Sequence, residues 1–178
     1  MACSNLNIDQ LTACMNGDPG IGRMYISSYE NILSSVVDTT GVILSGLTML
    51  TGATKYFYRF ELLQDVGASV DTPAVSISNG VSISVPSVKF KIANTNKDTL
   101  NIFNQMKTGR MVVIYENMDG ILFAVGIKRG LFFSSGTAGT DEATFEGITV
   151  ELKGKEKNGI YILSDALQST FVSTYVVR

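Results

Sequence analysis

The sequence predicts a mainly β fold of the α+β type, most simply a two-sheet β-sandwich or a partly closed barrel with one flanking α-helix. Three observations support this. Short runs rich in β-branched and aromatic residues recur along the chain, Asn-Gly and Asp-Gly pairs follow two of them, and only one stretch has clear helical spacing. The 178 residues are enough for one domain with a sizeable core. We expect an N-terminal arm over residues 1–21 and a single β-sandwich domain over 22–178.

About ten strands are expected along the chain. Strict alternation of apolar residues with serine is clearest over 75–85, where Asn79 and Gly80 suit a two-residue hairpin turn. A second hairpin is predicted around Asp119 and Gly120. The predicted strands cover 24–29, 42–44, 56–60, 75–85 with a continuation to 92, 111–115, 121–125, 131–133, 145–152, 160–163 and 170–177.

One helix is predicted over about 96–108. Leu100, Phe103 and Met106 recur at helical spacing, Lys107 suits the negative end of the helix dipole, and Gly109 ends the segment. A helix of about a dozen residues is long enough to cover part of one sheet face.

Composition excludes most catalytic chemistry. The chain has no histidine, which removes Ser-His-Asp and Cys-His catalysis and His-bearing zinc sites. The strongest acidic cluster, formed by Asp141, Glu142 and Glu146 after a Gly/Ser/Thr-rich loop, is more typical of a solvated turn than of a catalytic or calcium site. We predict no catalytic residue, no metal and no cofactor, and hence no enzyme. The net charge of −2 argues against a nucleic-acid binder.

The termini and cysteines indicate synthesis in a reducing cytoplasm. Cys3 and Cys14 are expected to be free thiols, with a bridge between them as the alternative. No signal peptide is expected, because the first basic residue is Arg23, and no membrane helix, because the longest apolar stretch covers only 42–50.

Charge is distributed unevenly. Residues 1–88 hold ten charged residues and 89–178 hold twenty, and no charge occurs between Asp71 and Lys89. An uncharged hairpin of this kind is either covered within its own fold or pairs with another subunit, since open strand edges are normally blunted by charge. The candidate residues of such a subunit interface are Val75, Ile77, Asn79, Gly80, Val81, Ile83 and Val85.

Several motifs resemble those of a known family. The chain opens with Ala2, Cys3 and Ser4, residues 20–26 read Gly-Ile-Gly-Arg-Met-Tyr-Ile, and residues 29–32 read Tyr-Glu-Asn-Ile. Further on, residues 119–126 read Asp-Gly-Ile-Leu-Phe-Ala-Val-Gly and residues 147–156 read Gly-Ile-Thr-Val-Glu-Leu-Lys-Gly-Lys-Glu. These segments resemble the tail-tube-like (major tail protein) virion structural proteins of bacteriophages.

The resemblance implies a β-sandwich with one flanking helix that forms homohexameric rings, and rings that stack into a tail tube. It implies a projecting hairpin at about 64–86, other virion tail or connector proteins as partners, and a location in the virion tail. DNA would pass through the lumen without specific binding, for which a net-acidic subunit is suitable.

Two alternatives stay open at this point. The chain could be a head-tail connector or tail-completion ring protein of the same fold. It could also be a solitary β-sandwich that binds glycans on Tyr56, Phe57 and Tyr58, although aromatics in such a run more often fill a β core.

Overall fold

The computed structural model describes residues 21–52, 56–61, 68–76, 81–93, 97–117, 119–139 and 147–177. These residues form two open sheets, neither closed into a barrel, together with two α-helices. The strands are β1 (Ile21–Ser28), β2 (Ile32–Val37), β3 (Ile43–Met49), β4 (Phe57–Glu61), β5 (Ala68–Ser76), β6 (Val81–Ala93), β7 (Met111–Asn117), β8 (Leu122–Val125), β9 (Phe132–Gly139), β10 (Gly147–Lys153), β11 (Ile160–Leu163) and β12 (Val176–Val177). The helices are α1 (Lys97–Thr108) and α2 (Asp165–Tyr175).

The larger sheet has eight strands in the order β12-β4-β1-β7-β8-β11-β3-β2. Its pairs are antiparallel except β11 with β3 and β12 with β4, which are parallel. The smaller sheet is antiparallel, in the order β5-β6-β10-β9. The outer strands of the two sheets are therefore β12, β2, β5 and β9.

Each face of the large sheet contributes to a buried core. On one face, Met24 and Val113 belong to a core shared with Phe90 of β6, Val150 of β10 and Met106 of α1. The other face belongs to a second core, completed by Leu167 and Phe171 of α2. Period-two alternation explains the division, because successive residues of a strand point to opposite faces.

Much of the predicted architecture is confirmed. The chain is mainly β with two sheets, and α1 lies where helical spacing predicted it. The hairpin at Asp119 and Gly120 also forms, with Glu116 opposite Leu122 and a φ of 82° at Gly120, a value that favours glycine.

The prediction of a single helix, and of a strand over 170–177, is wrong. Residues 165–175 form α2, and only Val176 and Val177 are in a strand. The Ser164 side chain caps the helix by accepting a hydrogen bond from the Leu167 backbone amide at 3.3 Å. Leu167 and Phe171, four residues apart, are buried on the same helix face, so tertiary packing overrides the β propensity of the local sequence.

No helix among the described residues combines the length and apolar character needed to cross a bilayer.

Candidate assembly surfaces

The structure places four of the seven predicted interface residues on the β5–β6 hairpin. Val75 is in β5, and Val81, Ile83 and Val85 are in β6. The other three, Ile77, Asn79 and Gly80, lie outside the described residues, as do Cys3 and Cys14 and the acidic residues Asp141, Glu142 and Glu146.

The hairpin register differs from the predicted one. Ser76 lies opposite Val81, whereas a two-residue turn at Asn79 and Gly80 would place Ser78 there. Four residues, 77–80, therefore separate the last paired positions, and this register does not fit a two-residue turn. In the observed register Val75 lies opposite Ser82, and Ile83 lies opposite Ala74. Val75, Val81 and Val85 therefore lie opposite hydroxyl-bearing residues, and among the predicted interface residues in the described strands only Ile83 has an apolar partner, Ala74.

The two strands of the hairpin differ in how well they are covered. β6 is an interior strand, and its extension beyond β10 pairs with the chain around Glu156. There the Ser84 amide donates to the Glu156 carbonyl at 2.8 Å and the Glu156 amide donates to the Ser84 carbonyl at 3.0 Å. β5, in contrast, is an edge strand, and no other described strand pairs with its outer side. Ile83 and Val85 are half-buried.

A second open edge, which the sequence analysis did not identify, lies at β2. Here the large sheet exposes an apolar surface, which we call the β2–β3 surface: Leu33, Val36, Val42, Ile43 and Ile162. Leu33 is 63% exposed and Val36 is 58% exposed. Ile43 and Ile162 are partners in the parallel register of β3 and β11, so they are neighbours on one sheet face.

Residues 31–54 contribute almost no charge to the β2–β3 surface, and the cation in contact with β2 is the Lys128 ammonium, 3.2 Å from Ser35. The only charged residue between positions 31 and 54 is Asp38. Its carboxylate accepts hydrogen bonds from the Thr40 hydroxyl and from the backbone amides of Val42 and Ile43. These bonds, led by the one from Thr40, lower the pKa of Asp38. The Asp38 carboxylate is thus hydrogen-bonded within its own loop.

A concave basic surface, which we call the basic cavity, lies where β6, β9 and β10 approach the chain between β8 and β9. It encloses about 640 Å³, and Val85 and Gly154 contribute to its wall. The remaining residues that line it are five cations and one aromatic: Arg110, Lys128, Arg129, Lys153, Lys155 and Phe132.

Three of the five cations have partners within the chain. Arg110 forms an ion pair with Glu30 and stacks 4.5 Å from the ring centre of Tyr29. Lys153 pairs with Glu151 at 2.8 Å, and Lys128 donates to the Ser35 carbonyl at 3.2 Å. The pKa of Glu151 is lowered by its hydrogen bonds from Lys153 and Ser135.

A buried carboxylate supports the wall of the basic cavity. Glu156 is 1% exposed, and its Oε1 accepts hydrogen bonds from the backbone amides of Lys128 and Arg129, both at 2.9 Å. Gly126 and Gly130, at φ of 81° and 77°, allow the tight turn that aims these amides inward.

Burial dominates the electrostatics of Glu156. Desolvation raises its pKa despite the two amide bonds, and Oε2 accepts no hydrogen bond of good geometry from the described residues. Its polar neighbour is the hydroxyl of Tyr161. Burial and the Glu156 carboxylate together raise the pKa of Tyr161 to about 12.

A further cavity, of about 410 Å³, lies between β1, β4 and α1. Its mainly apolar lining also includes three amide side chains, of Asn31, Asn101 and Gln105, and the ring of Tyr58. The proposed aromatic platform does not assemble beside it. Phe57 is fully buried, and Tyr56 lines a different cavity with Tyr175. The three aromatics therefore do not share one surface.

Within the described ranges, no group of three or more Cys, Asp or Glu side chains is arranged to hold a metal ion. Comparison of the chain with protein-family models, curated proteins and solved structures finds no match.

Proposed function

We propose that this chain is a structural virion protein whose copies assemble into hexameric rings, which stack into a phage tail tube that conducts DNA. The proposal rests on the motif resemblance and on one structural observation, the β2–β3 surface at an open sheet edge. Such an edge presents unpaired backbone amides and carbonyls to another strand, and proteins that stay monomeric usually protect it with Lys, Pro or a covering element.

The composition of this edge favours burial between subunits. Removing Leu33 and Val36 from water is favourable, and no residue of β2 is itself charged. The Lys128 ammonium, which donates to Ser35 of β2, is the nearby ion that has to stay solvated or paired at such an interface. The two serines of β2 keep the strand partly polar before assembly. Pairing of β2 with an edge strand of a neighbouring copy would continue the large sheet from one subunit to the next.

Negative-stain imaging of the purified chain over a range of concentrations tests the proposal, with sedimentation velocity on the same samples. We expect rings at moderate concentration and stacked rings or tubes at high concentration. Rings that never stack would favour the connector protein of the same fold. A chain that sediments as a monomer at all concentrations would refute the assembly proposal.

A second candidate, the solitary glycan-binding module, is favoured by the amide-lined cavity with its exposed Tyr58. Amide side chains beside an aromatic ring suit the hydroxyl groups and apolar face of a sugar. Binding on a glycan array by a monomeric chain, lost in Asn101→Ala, would support this candidate over assembly.

A further inference from the structure

The positive charge of the basic cavity exceeds the negative charge of the carboxylates around it. Five cations line it, whereas three carboxylates contact these cations or support the wall: Glu30, Glu151 and Glu156. Arg129 and Lys155 are exposed and form no ion pair with any part of the chain that the structure describes. In a protein with a net charge of −2, this local excess indicates a site for an anionic partner.

The wall of the cavity also has an apolar component. Phe132 is 55% exposed, and the half-buried Val85 lies on the same wall. A ligand that matches both features combines carboxylates with an apolar side chain. An acidic peptide has this combination, whereas inorganic phosphate supplies only the charge, and the net charge of −2 disfavours nucleic acid.

The chain itself contains such a peptide. Residues 141–146 read Asp-Glu-Ala-Thr-Phe-Glu, with three carboxylates and Phe145 within six positions. This segment connects β9 to β10, beyond the point where Gly139 pairs with Gly147. We infer that residues 141–146 of a second copy dock in the basic cavity.

Both ends of this segment are attached far from the cavity of its own chain. Phe132 and Lys153 pair at one end of the β9–β10 hairpin, and Gly139 and Gly147 pair at the other, about 20 Å away at the usual rise per strand residue. Seven residues that start and finish at the Gly139–Gly147 pair can extend their backbone about 12 Å from it, which is short of that distance. Docking of the whole segment in the basic cavity is therefore expected between copies.

The resulting contact is head-to-tail, because the hairpin has its acidic segment at one end and the basic cavity at the other. Interfaces of this type generate rings when the rotation closes and open stacks when it does not. The inference rests on the proposed self-assembly, to which it adds the identity of one contact.

Binding of a labelled peptide tests this contact without requiring assembly. The peptide spans residues 138–149, and the receptor is the full chain with Asp141→Lys and Glu142→Lys, whose own segment cannot compete. We expect binding by fluorescence anisotropy that weakens as ionic strength rises from about 0.05 to about 0.5 M, since exposed charges are screened over this range. Adding Arg129→Glu and Lys155→Glu to the receptor should weaken binding about tenfold or more.

Two matched controls accompany this measurement. Lys157→Glu in the receptor changes an exposed lysine outside the cavity lining and should leave peptide affinity within about twofold. A peptide with Asp141→Lys and Glu142→Lys should not bind. In assembly assays, Arg129→Glu with Lys155→Glu should reduce stacking, and adding Asp141→Lys and Glu142→Lys to that chain should restore it.

The outcomes separate this inference from the proposed function. Absence of peptide binding overturns the inference even if rings form. So does tighter binding of a single-stranded oligonucleotide that displaces the peptide, because the cavity is then a phosphate site. Peptide binding by a chain that never forms rings would retain the contact and refute the ring proposal.

Discussion

At the scale of single residues, Glu156 connects more parts of the molecule than its position in a short loop suggests. Its backbone pairs with Ser84 of β6, its Oε1 accepts two amides from the chain between β8 and β9, and its carboxylate raises the pKa of Tyr161. The turn that presents Lys128 and Arg129 to the basic cavity therefore depends on a carboxylate almost completely removed from water. In the sequence, Glu156 is notable only as the last residue of the 147–156 motif.

Glu156→Gln is expected to stabilise the protein at pH 7 and not at pH 4. The folded-state pKa of Glu156 lies above the ordinary value of 4.5. The protonated side chain therefore contributes fully to folding stability below pH 4.5, and this contribution is lost as the pH rises through the folded-state pKa. Glutamine keeps an oxygen for the two amides without the buried charge. We expect Tm to rise by about 2–4 °C at pH 7, corresponding to about 1 kcal/mol, as measured by thermal denaturation between pH 4 and pH 8.

Glu156→Ala is the control for this prediction. It removes the acceptor as well as the charge and leaves the amides of Lys128 and Arg129 unpaired, at a cost of about 1–3 kcal/mol for each buried group. Its Tm should fall at both pH values. Asp38 and Glu151 contribute equally to the pH dependence of stability in the unchanged protein and in both variants. Their effects therefore cancel when Tm values are compared at one pH. An equal Tm gain for Glu156→Gln at every pH would contradict the electrostatic explanation.

At the scale of elements, the sequence predicted those with a strong local pattern and missed those defined by distant partners. α1 and the β7–β8 hairpin were predicted because helical spacing and an Asp-Gly turn are local signals. β2 was missed because Ile-Leu-Ser-Ser-Val-Val alternates poorly, and its exposed Leu33 lies at an irregularity in its register with β3. α2 was mistaken for a strand because Thr170, Val172 and Thr174 favour β structure.

Phe171→Ala tests the packing that holds α2 against the large sheet. The Phe171 ring is fully buried and makes edge contacts with Tyr25 and Phe57, both at 5.3 Å between ring centres. Its removal leaves a cavity between helix and sheet, and we expect a loss of about 3–5 kcal/mol in the free energy of unfolding, measured by urea denaturation. Val172→Ala, at the 38%-exposed neighbouring position, should cost less than about 1 kcal/mol. Similar losses in the two variants would contradict the assigned helix orientation.

At the scale of the whole molecule, the candidate surfaces were only partly predictable. The absence of charge between Asp71 and Lys89 predicted a subunit interface at the β5–β6 hairpin. However, β6 is covered by a long-range pairing with Glu156, which no local pattern reveals. The same criterion applied between Asp38 and Lys55 indicates β3 with Val42 and Ile43, but not β2, which precedes Asp38. The basic cavity had no comparable signal, because its cations come from three separated parts of the chain.

Val36→Lys is expected to abolish assembly without unfolding the subunit. Val36 is 58% exposed on edge strand β2, and a lysine there would place a charge in the interface that the β2–β3 surface is proposed to form. The folded subunit should tolerate the change within about 0.5 kcal/mol, because the lysine ammonium can remain in water. Sedimentation velocity and negative-stain imaging should show monomers where the unchanged chain forms rings, with Tm essentially unaltered.

Leu100→Lys provides the matched comparison, since it introduces the same charge at a 38%-exposed leucine on α1, away from the β2 edge. We expect this variant to form rings as the unchanged chain does. Rings that persist in Val36→Lys would show that β2 is not the subunit contact. Loss of rings in both variants at unchanged Tm would indicate a general effect of added positive charge, and the edge-pairing argument would then fail.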